Sequence, residues 1–251
     1  NNMTQTQHIY LIPGTMCDHR LWSAMINELE GFCPNAFQFH YLTIGRQETI
    51  DDLLVDIKRQ ISRHTDDKIT LLGFSLGGYL ACAFAVKYPE MLKRLLVVSS
   101  LPTALPTSVI KERSRTVAWI KQNGYRGIAR KRVLALLDVS NQNNEHFVQL
   151  IEDMDKSLGG DVLVHQLLVT THRKNLFDKL RALPFKKAFC VGRNDNLVAV
   201  EPLIQAQAED GHMCLEIFEN TGHMLPLEQA VNMAKWLISL GEQDKTQHLI
   251  Y

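Results

Sequence analysis

Residues 73–77 have the spacing G-x-S-x-G, which can present the hydroxyl of Ser75 for nucleophilic attack. An apolar, β-branched run ends just before this pattern, and an alanine-rich apolar run continues from it to Tyr88. A strand, a tight turn and a helix in this order place Ser75 at the turn, where glycines on both sides leave room for the backbone. The simpler interpretation is a glycine-rich turn whose serine only caps the helix. The context favours a nucleophile.

A serine hydroxyl is a poor nucleophile near neutral pH and requires a neighbouring base. Of the ten histidines, His223 is favoured because it lies in a loop between the last predicted strand and the last predicted helix. That loop is expected at the same edge of the sheet as Ser75. His19, which follows the first predicted strand, is the other serious candidate for the base. A surface loop histidine is the alternative interpretation of His223.

Such a base needs an acid that holds its tautomer and offsets its charge. Asp195 follows the predicted strand 188–191 and is therefore expected at the same edge. The end of the preceding predicted strand, at residues 99–102, holds no acid, which favours Asp195 further. The order serine, aspartate, histidine differs from the orders found in the chymotrypsin and subtilisin proteases. The alternative for Asp195 is an Asx turn or a helix N-cap.

The hydrophobic pattern predicts an α/β fold with a mostly parallel, six-stranded sheet and helices on both faces. Continuous apolar runs, typical of buried parallel strands, alternate with segments of helical periodicity. The predicted strands are 8–12, 37–42, 69–72, 95–98, 188–191 and 215–218, and the predicted core helices are 21–29, 50–61, 76–88, 201–209 and 227–240.

One region interrupts this alternation. Residues 103–178 contain no convincing strand, and four segments in them have helical periodicity, at 109–122, 127–137, 145–158 and 162–172. The sequence therefore predicts a core formed by 1–102 and 179–251, with a helical lid, 103–178, inserted in it. A helical insertion above the carboxyl ends of parallel strands would cover the site.

Together these motifs resemble the α/β-hydrolase-fold superfamily, and within it small bacterial esterases and enol-lactonases with a helical lid. Relatives with an aspartate nucleophile are disfavoured because the turn carries Ser75. The resemblance implies an oxyanion hole formed by the backbone N–H groups of Thr15 and Leu76, with Met16 as the alternative to Thr15. Family members often have His-Gly after the first strand, whereas this chain has Pro13 before Gly14. Backbone donors do not depend on that histidine.

The resemblance implies a serine hydrolase that cleaves a carboxylic ester, a lactone or a thioester of a small molecule through an acyl-enzyme. The alternatives are a C–C bond hydrolase or lyase with the same three residues, and a ligand-binding member of the fold without catalysis. No metal and no organic cofactor are expected. Five residues near the catalytic motifs in sequence are candidates for the pocket, although plain core packing is favoured for the two aromatic ones: Met16, Asp18, Trp22, Phe74 and Met224.

Composition gives little sign of a macromolecular partner. The 251 residues include 27 basic and 27 acidic side chains, so the formal net charge is zero, and neither nucleic acid nor membrane is expected as a partner. The five cysteines are scattered without metal-ligand spacing, and Cys82 and Cys190 lie in apolar runs. The chain begins with a polar stretch that lacks the features of a signal peptide. A cytoplasmic location is therefore expected.

The predicted lid has an asymmetric charge distribution. Between residues 111 and 132 one acid, Glu112, accompanies eight cations: Lys111, Arg113, Arg115, Lys121, Arg126, Arg130, Lys131 and Arg132. Such a cluster is ordinarily a solvated helix face. The other interpretation is a basic segment that attracts an anionic or carrier-bound substrate.

Overall fold

The computed structural model describes residues 5–248, so the extreme start of the chain, residues 1–4, on which part of the localisation hypothesis rests, lies outside the described residues. Within them, the sheet has six strands in the order β2-β1-β3-β4-β5-β6, and every neighbouring pair is parallel. The strands are β1 (Gln7–Ile12), β2 (Phe37–Tyr41), β3 (Ile69–Phe74), β4 (Leu92–Val98), β5 (Lys186–Gly192) and β6 (Met213–Phe218). The predicted fold class is confirmed.

Helices cover both faces of this sheet. Those outside the segment between β4 and β5 are α1 (Ser23–Phe32), α2 (Ile50–Ser62), α3 (Leu76–Lys87), α9 (Glu201–Glu209), α10 (Leu225–Glu228) and α11 (Ala230–His248). Apolar side chains of α2, α3 and α9 form one core with the sheet, and those of α1, α10 and α11 form the core on the opposite face. Because both faces are covered, β3 is buried along its whole length, which accounts for its continuous apolar sequence.

The strand order sets the place of the site. The chain leaves β1 toward β2 at one side and then returns to form β3 on the other side of β1. Connections that diverge from adjacent strands in this way open a crevice at the carboxyl ends of those strands. The loop that follows β1 and the turn that follows β3 therefore meet at one place.

The segment between β4 and β5 is helical, as predicted. Its helices are α4 (Thr107–Asn123), α5 (Arg130–Ala135), α6 (Glu145–Leu158), α7 (Gly160–Thr170) and α8 (Phe177–Arg181). The sequence did not predict α8, and this helix crosses the predicted boundary at residue 178. Val133, Ile151 and Met154 of the insertion belong to the same apolar core as the sheet residue Phe74. The insertion thus shares a core with the sheet, while the division of the chain into two parts stays a prediction.

Two predicted helices are divided in the structure. A 3₁₀ turn, His19–Trp22, precedes α1, where the sequence predicted one helix over 21–29. The predicted helix 227–240 begins earlier, with α10, and is interrupted at Gln229, whose backbone is not helical (φ −132°, ψ 43°). Pro226 in the first turn of α10 favours a helix start there, since its missing N–H has no partner to lose.

Among the described helices, none combines the length and the apolar character that crossing a lipid bilayer requires.

Candidate active site

Ser75 occupies a strained turn between β3 and α3. Its backbone has φ 55° and ψ −117°, a conformation that residues other than glycine rarely adopt, and α3 begins at the next residue. The turn is tight enough that a Cβ on Gly73 would overlap the carbonyl oxygen of Gly77, and one on Gly77 would overlap that of Pro13. The Ser75 hydroxyl makes no capping hydrogen bond to α3. Ser75 therefore does not cap α3, which was the simpler interpretation of the sequence.

The structure brings Ser75, His223 and Asp195 together. The Ser75 Oγ lies 2.9 Å from His223 Nε2, and His223 Nδ1 lies 2.9 Å from Asp195 Oδ2. The side chain of Asp195 is fully buried, and that of His223 is 7% exposed. His19, the other candidate base, lies instead beside Tyr41, with its ring centroid 6.0 Å from the tyrosine ring.

The two carboxylate oxygens of Asp195 have different partners. Oδ1 accepts hydrogen bonds from the backbone N–H groups of Leu197 (2.8 Å) and Val198 (3.2 Å), while Oδ2 faces His223. The residue therefore forms the Asx turn that the sequence suggested as an alternative and contacts the histidine as well. Because a carboxylate only accepts hydrogen bonds, Nδ1 of His223 must carry the proton, which leaves Nε2 as an acceptor toward Ser75. This arrangement can remove a proton from the serine hydroxyl.

The family of the chain follows from a comparison with known proteins. The sequence profile of the alpha/beta hydrolase fold family matches residues 7–248. The chain belongs to the α/β-hydrolase fold family. The resemblance inferred from its motifs is confirmed.

Individual relatives are more distant. Proline iminopeptidase from Saccharolobus solfataricus is 32% identical in an alignment of 121 positions, which covers 44% of this α/β hydrolase but only 34% of the iminopeptidase. Among solved structures, a thermophilic esterase from Thermogutta terrifontis has a TM-score of 0.82 at 21% identity, with 96% of this chain and 91% of that chain covered. The enol-lactonase from Burkholderia xenovorans LB400 has a TM-score of 0.74 at 13% identity, covering 95% and 92%. At these identities the structural likeness establishes the fold alone.

The loop after β1 of this α/β hydrolase lies against the turn that carries Ser75. A Cβ on Gly14 would lie 2.6 Å from the ring of Phe74, so the loop approaches β3 as closely as a glycine allows. Met16 has a positive φ of 57°, and its backbone N–H donates to Gln166 Oε1 on α7 at 3.0 Å. Since that N–H already has a partner, Met16 is the weaker of the two oxyanion-hole candidates, and Thr15 is retained.

Sequence reasoning did not find Gln166. Its side chain is buried, with 5% exposure, in a helix of mostly apolar residues. The adjacent polar residues His165 and Gln166 inside that apolar run were the available signal. His165 contacts the loop after β2, because its Nε2 lies 2.6 Å from the carbonyl oxygen of Gln47. Helix α7 is thus anchored to two loops at the carboxyl edge of the sheet.

The predicted pocket residues have different surroundings. Trp22 and Phe74 are fully buried with their rings edge to face, 6.4 Å apart, which is core packing for Trp22. Phe74 also flanks the histidine, with its ring centroid 5.3 Å from that of His223, and Met224 is buried next in sequence. Burial acts to raise the pKa of the Asp18 carboxyl, but its pairing with Arg20 at 2.7 Å outweighs burial, and the pKa is lowered. A role of Asp18 in binding has no support from these contacts.

The insertion holds the loops that carry Asp195 and His223. The backbone N–H of His223 donates to the carbonyl of Leu136 at 2.9 Å, and the side-chain amide of Asn196 donates to that of Ala135 at 3.0 Å. Asn194 donates to Asp138 at 2.7 Å. Residues 135–138 therefore contact both loops directly and link the loop of the acid to the loop of the base.

Glu228 joins this arrangement from α10, and no motif in the sequence indicates its role. One of its carboxylate oxygens, Oε1, accepts hydrogen bonds from the backbone N–H groups of Asp138 (2.7 Å) and Gly222 (3.1 Å) and from the side chain of Asn141 (2.9 Å). Burial raises the pKa of Glu228, although these hydrogen bonds act in the opposite direction. A single carboxylate thus links the insertion to the loop that carries His223.

Replacing Gly222 by alanine should destabilise this α/β hydrolase and lower its activity. A Cβ at Gly222 would lie 2.6 Å from the backbone nitrogen of Asp138 and 2.8 Å from the carbonyl carbon of Leu137, and backbone atoms cannot move aside as a flexible side chain can. We expect a loss of about 1–3 kcal/mol in the free energy of unfolding, measured by urea denaturation. The neighbouring His223 should be displaced, so kcat/KM should also fall.

Gly211→Ala is the matched control, because a Cβ there meets no atom within 4 Å. It should leave the free energy of unfolding and kcat/KM near those of the wild-type chain. If Gly222→Ala behaves like Gly211→Ala, the close approach of the insertion to the histidine loop is not a constraint on this protein.

Proposed function

We propose that this protein is a serine hydrolase that cleaves a carboxylic ester, lactone or thioester of a small molecule through an acyl-enzyme. The observation that carries the proposal is the continuous hydrogen-bonded arrangement from Ser75 Oγ through His223 to Asp195, with both distances at 2.9 Å. Nucleophile, base and orienting acid within hydrogen-bond reach are the requirement for activating a serine hydroxyl.

In the first step Ser75 attacks the carbonyl carbon of the substrate while Nε2 of His223 accepts the hydroxyl proton. Asp195 keeps the imidazole in the tautomer that can accept this proton and stabilises the imidazolium that forms. The strained backbone of Ser75 holds the hydroxyl out of the first turn of α3, where it would otherwise tend to cap the helix.

Negative charge develops on the carbonyl oxygen in this step, and the backbone N–H groups of Thr15 and Leu76 are the proposed donors to it. Leu76 is the first residue of α3, so its N–H has no partner within the helix and the helix dipole favours an anion there. One such donor typically contributes about 3 kcal/mol to the stability of the transition state. The hydrogen bond from Met16 to Gln166 fixes the loop that presents Thr15.

In the second step His223 returns its proton to the leaving alcohol or thiol, and the acyl group stays on Ser75. Water then loses a proton to His223 and attacks the acyl carbon, which releases the acid and restores the serine.

The proposal is tested by pre-steady-state kinetics with p-nitrophenyl acetate. If an acyl-enzyme accumulates, p-nitrophenol should appear in a burst that approaches one equivalent of protein. Intact-mass analysis of the quenched reaction should then show an added acetyl group on the peptide that contains Ser75.

A wider set of substrates separates the alternatives. If esters, lactones and thioesters are not turned over but a vinylogous diketone is cleaved, the C–C hydrolase alternative is favoured. Binding of small ligands with no turnover of any substrate would favour a member of the fold without catalysis. Acetylation at a residue other than Ser75 would contradict the proposed nucleophile.

A further inference from the structure

Arg113 differs from the other cations of the basic segment of the insertion. It is the one of the eight that is partly buried, whereas the other seven are exposed. Arg130, for example, lies at the surface and is paired with Glu145 and Glu152. The guanidinium of Arg113 instead points from α4 toward α7, where its Nη1 donates to the hydroxyl of Thr170 at 3.2 Å.

A second partly buried arginine lies close by. Arg173 follows α7, and its Nε donates to the carbonyl oxygen of Thr170 at 2.7 Å. Its guanidinium carbon lies 5.0 Å from the centroid of the Tyr79 ring, a cation–π contact. The hydroxyl of Tyr79 holds the backbone of the next residue, Lys174, by two hydrogen bonds of 3.0 and 2.8 Å. The position of Arg173 is therefore fixed by the core.

These two arginines have no acidic partner in the part of the chain that the structure describes. Each uses one N–H group in the hydrogen bonds to Thr170, and a guanidinium has five. Burial, together with the charge of Arg113, lowers the pKa of Arg173 to about 10, which leaves the group charged at neutral pH. Two partly buried cations that share one threonine cost free energy unless an anion joins them.

The arginine pair contacts α3 and α7, two helices that reach the proposed site. Tyr79, under the guanidinium of Arg173, is one turn of α3 beyond Ser75, since its backbone N–H donates to the carbonyl oxygen of Ser75 at 3.1 Å. Thr170, which both arginines contact, is one turn of α7 beyond Gln166, the residue that binds the loop after β1. One turn of helix rises about 5.4 Å. The pair thus lies where Tyr79 of α3 approaches the end of α7 that follows Gln166.

We propose that Arg113 and Arg173 form a carboxylate-binding subsite, so that the substrate is an ester, lactone or thioester that carries a free carboxylate near its scissile carbonyl. This inference rests on the proposed function. A planar guanidinium matches the two oxygens of a carboxylate, and two of them can hold it from two sides. Arg173 packs on Tyr79, which is one turn of α3 from Ser75, and this placement favours a charge on the small substrate itself over a carrier bound at the exposed lysines and arginines of the insertion.

The test compares two pairs of esters that differ in a single charge. For the acyl side the pair is mono-p-nitrophenyl glutarate and p-nitrophenyl pentanoate. For the alcohol side the pair is 4-acetoxybenzoate and 4-acetoxybenzamide. The wild-type chain should prefer the charged member of at least one pair, and Arg113→Gln should lower kcat/KM for that member by about 10- to 100-fold, the range expected for a lost hydrogen bond to a charged group. The neutral member should be affected by less than about threefold.

Arg130→Gln is the matched control, because it removes one cation from the same insertion at an exposed site. Its effect on the charged ester should be small. Arg113→Lys keeps the positive charge but loses the planar guanidinium that can bind both oxygens of a carboxylate. Its kcat/KM for the charged ester should therefore lie between those of wild type and Arg113→Gln. If kcat/KM for the charged ester falls equally in Arg130→Gln and Arg113→Gln, the proposed subsite is wrong. General attraction to the basic segment would then explain the preference for the charged ester.

Ligand binding gives a readout that is independent of turnover. Glutarate should raise the melting temperature of the Ser75→Ala chain and not that of the Ser75→Ala, Arg113→Gln double variant. If hydrolysis of neutral esters depends on Ser75 while Arg113→Gln changes neither ester nor glutarate binding, the subsite is overturned and the serine hydrolase stands. If glutarate binds through Arg113 but no ester is turned over, the proposed function fails and the subsite stands.

Discussion

Replacing Ser75 by alanine should lower kcat/KM for a p-nitrophenyl ester by about 10⁴-fold or more, with little change in thermal stability. The hydroxyl makes its one hydrogen bond in the described structure to Nε2 of His223, so its removal takes away the nucleophile and disturbs little else. The backbone conformation with positive φ is strained for serine and alanine alike. The measurement is steady-state turnover together with labelling by a fluorophosphonate probe, which should modify the wild-type chain and not the variant.

Ser108→Ala is a suitable control, because Ser108 is exposed in the first turn of α4. This variant should keep both its turnover and its labelling. Persistent fluorophosphonate labelling of Ser75→Ala would remove Ser75 from the role of nucleophile.

The second large effect is expected for Asp195→Asn. The new amide can keep its oxygen on the backbone N–H groups of Leu197 and Val198, which places its NH₂ group against Nδ1 of His223. The histidine must then accept a hydrogen bond at Nδ1 and carry its proton on Nε2, where it can no longer accept the proton of Ser75. A wrong tautomer of this kind costs about 10⁴-fold in kcat.

The measurement is kcat for Asp195→Asn at neutral pH beside its melting temperature, which should change by no more than a few degrees. Asp161→Asn, an exchange of the same chemistry at an exposed position, should have wild-type kcat. A near-normal kcat for Asp195→Asn would mean that another group orients His223.

The sequence could predict the sheet and the meeting of Ser75, Asp195 and His223 for one physical reason. Parallel strands end at a common edge, so residues that follow different strands are brought together whatever their distance along the chain. The strands could be recognised in the sequence because both faces of the sheet are covered, so each buried strand is a continuous apolar run.

The contacts made by the insertion could not be predicted in this way. Periodicity locates a helix and its apolar face, but it does not say which loop a polar residue on that helix reaches. Gln166, Glu228 and Arg173 each contact a partner through packing between helices and loops far apart in sequence. Among eight cations in one segment, only the docked position of α4 distinguishes Arg113 from the others. The apolar pattern also did not indicate that the helix predicted at 227–240 is interrupted at Gln229.

The core that the insertion shares with the sheet has a consequence for protein engineering. Val133, Ile151 and Met154 are buried in one apolar cluster with Phe74, and residues 135–138 are hydrogen-bonded to the loops that carry Asp195 and His223. The stretch from α5 to α6 is therefore part of the scaffold and cannot be exchanged as a cassette for the insertion of another member of the fold. Specificity in this chain is open to redesign mainly through side chains of α4, because Gln166 of α7 already holds the loop after β1.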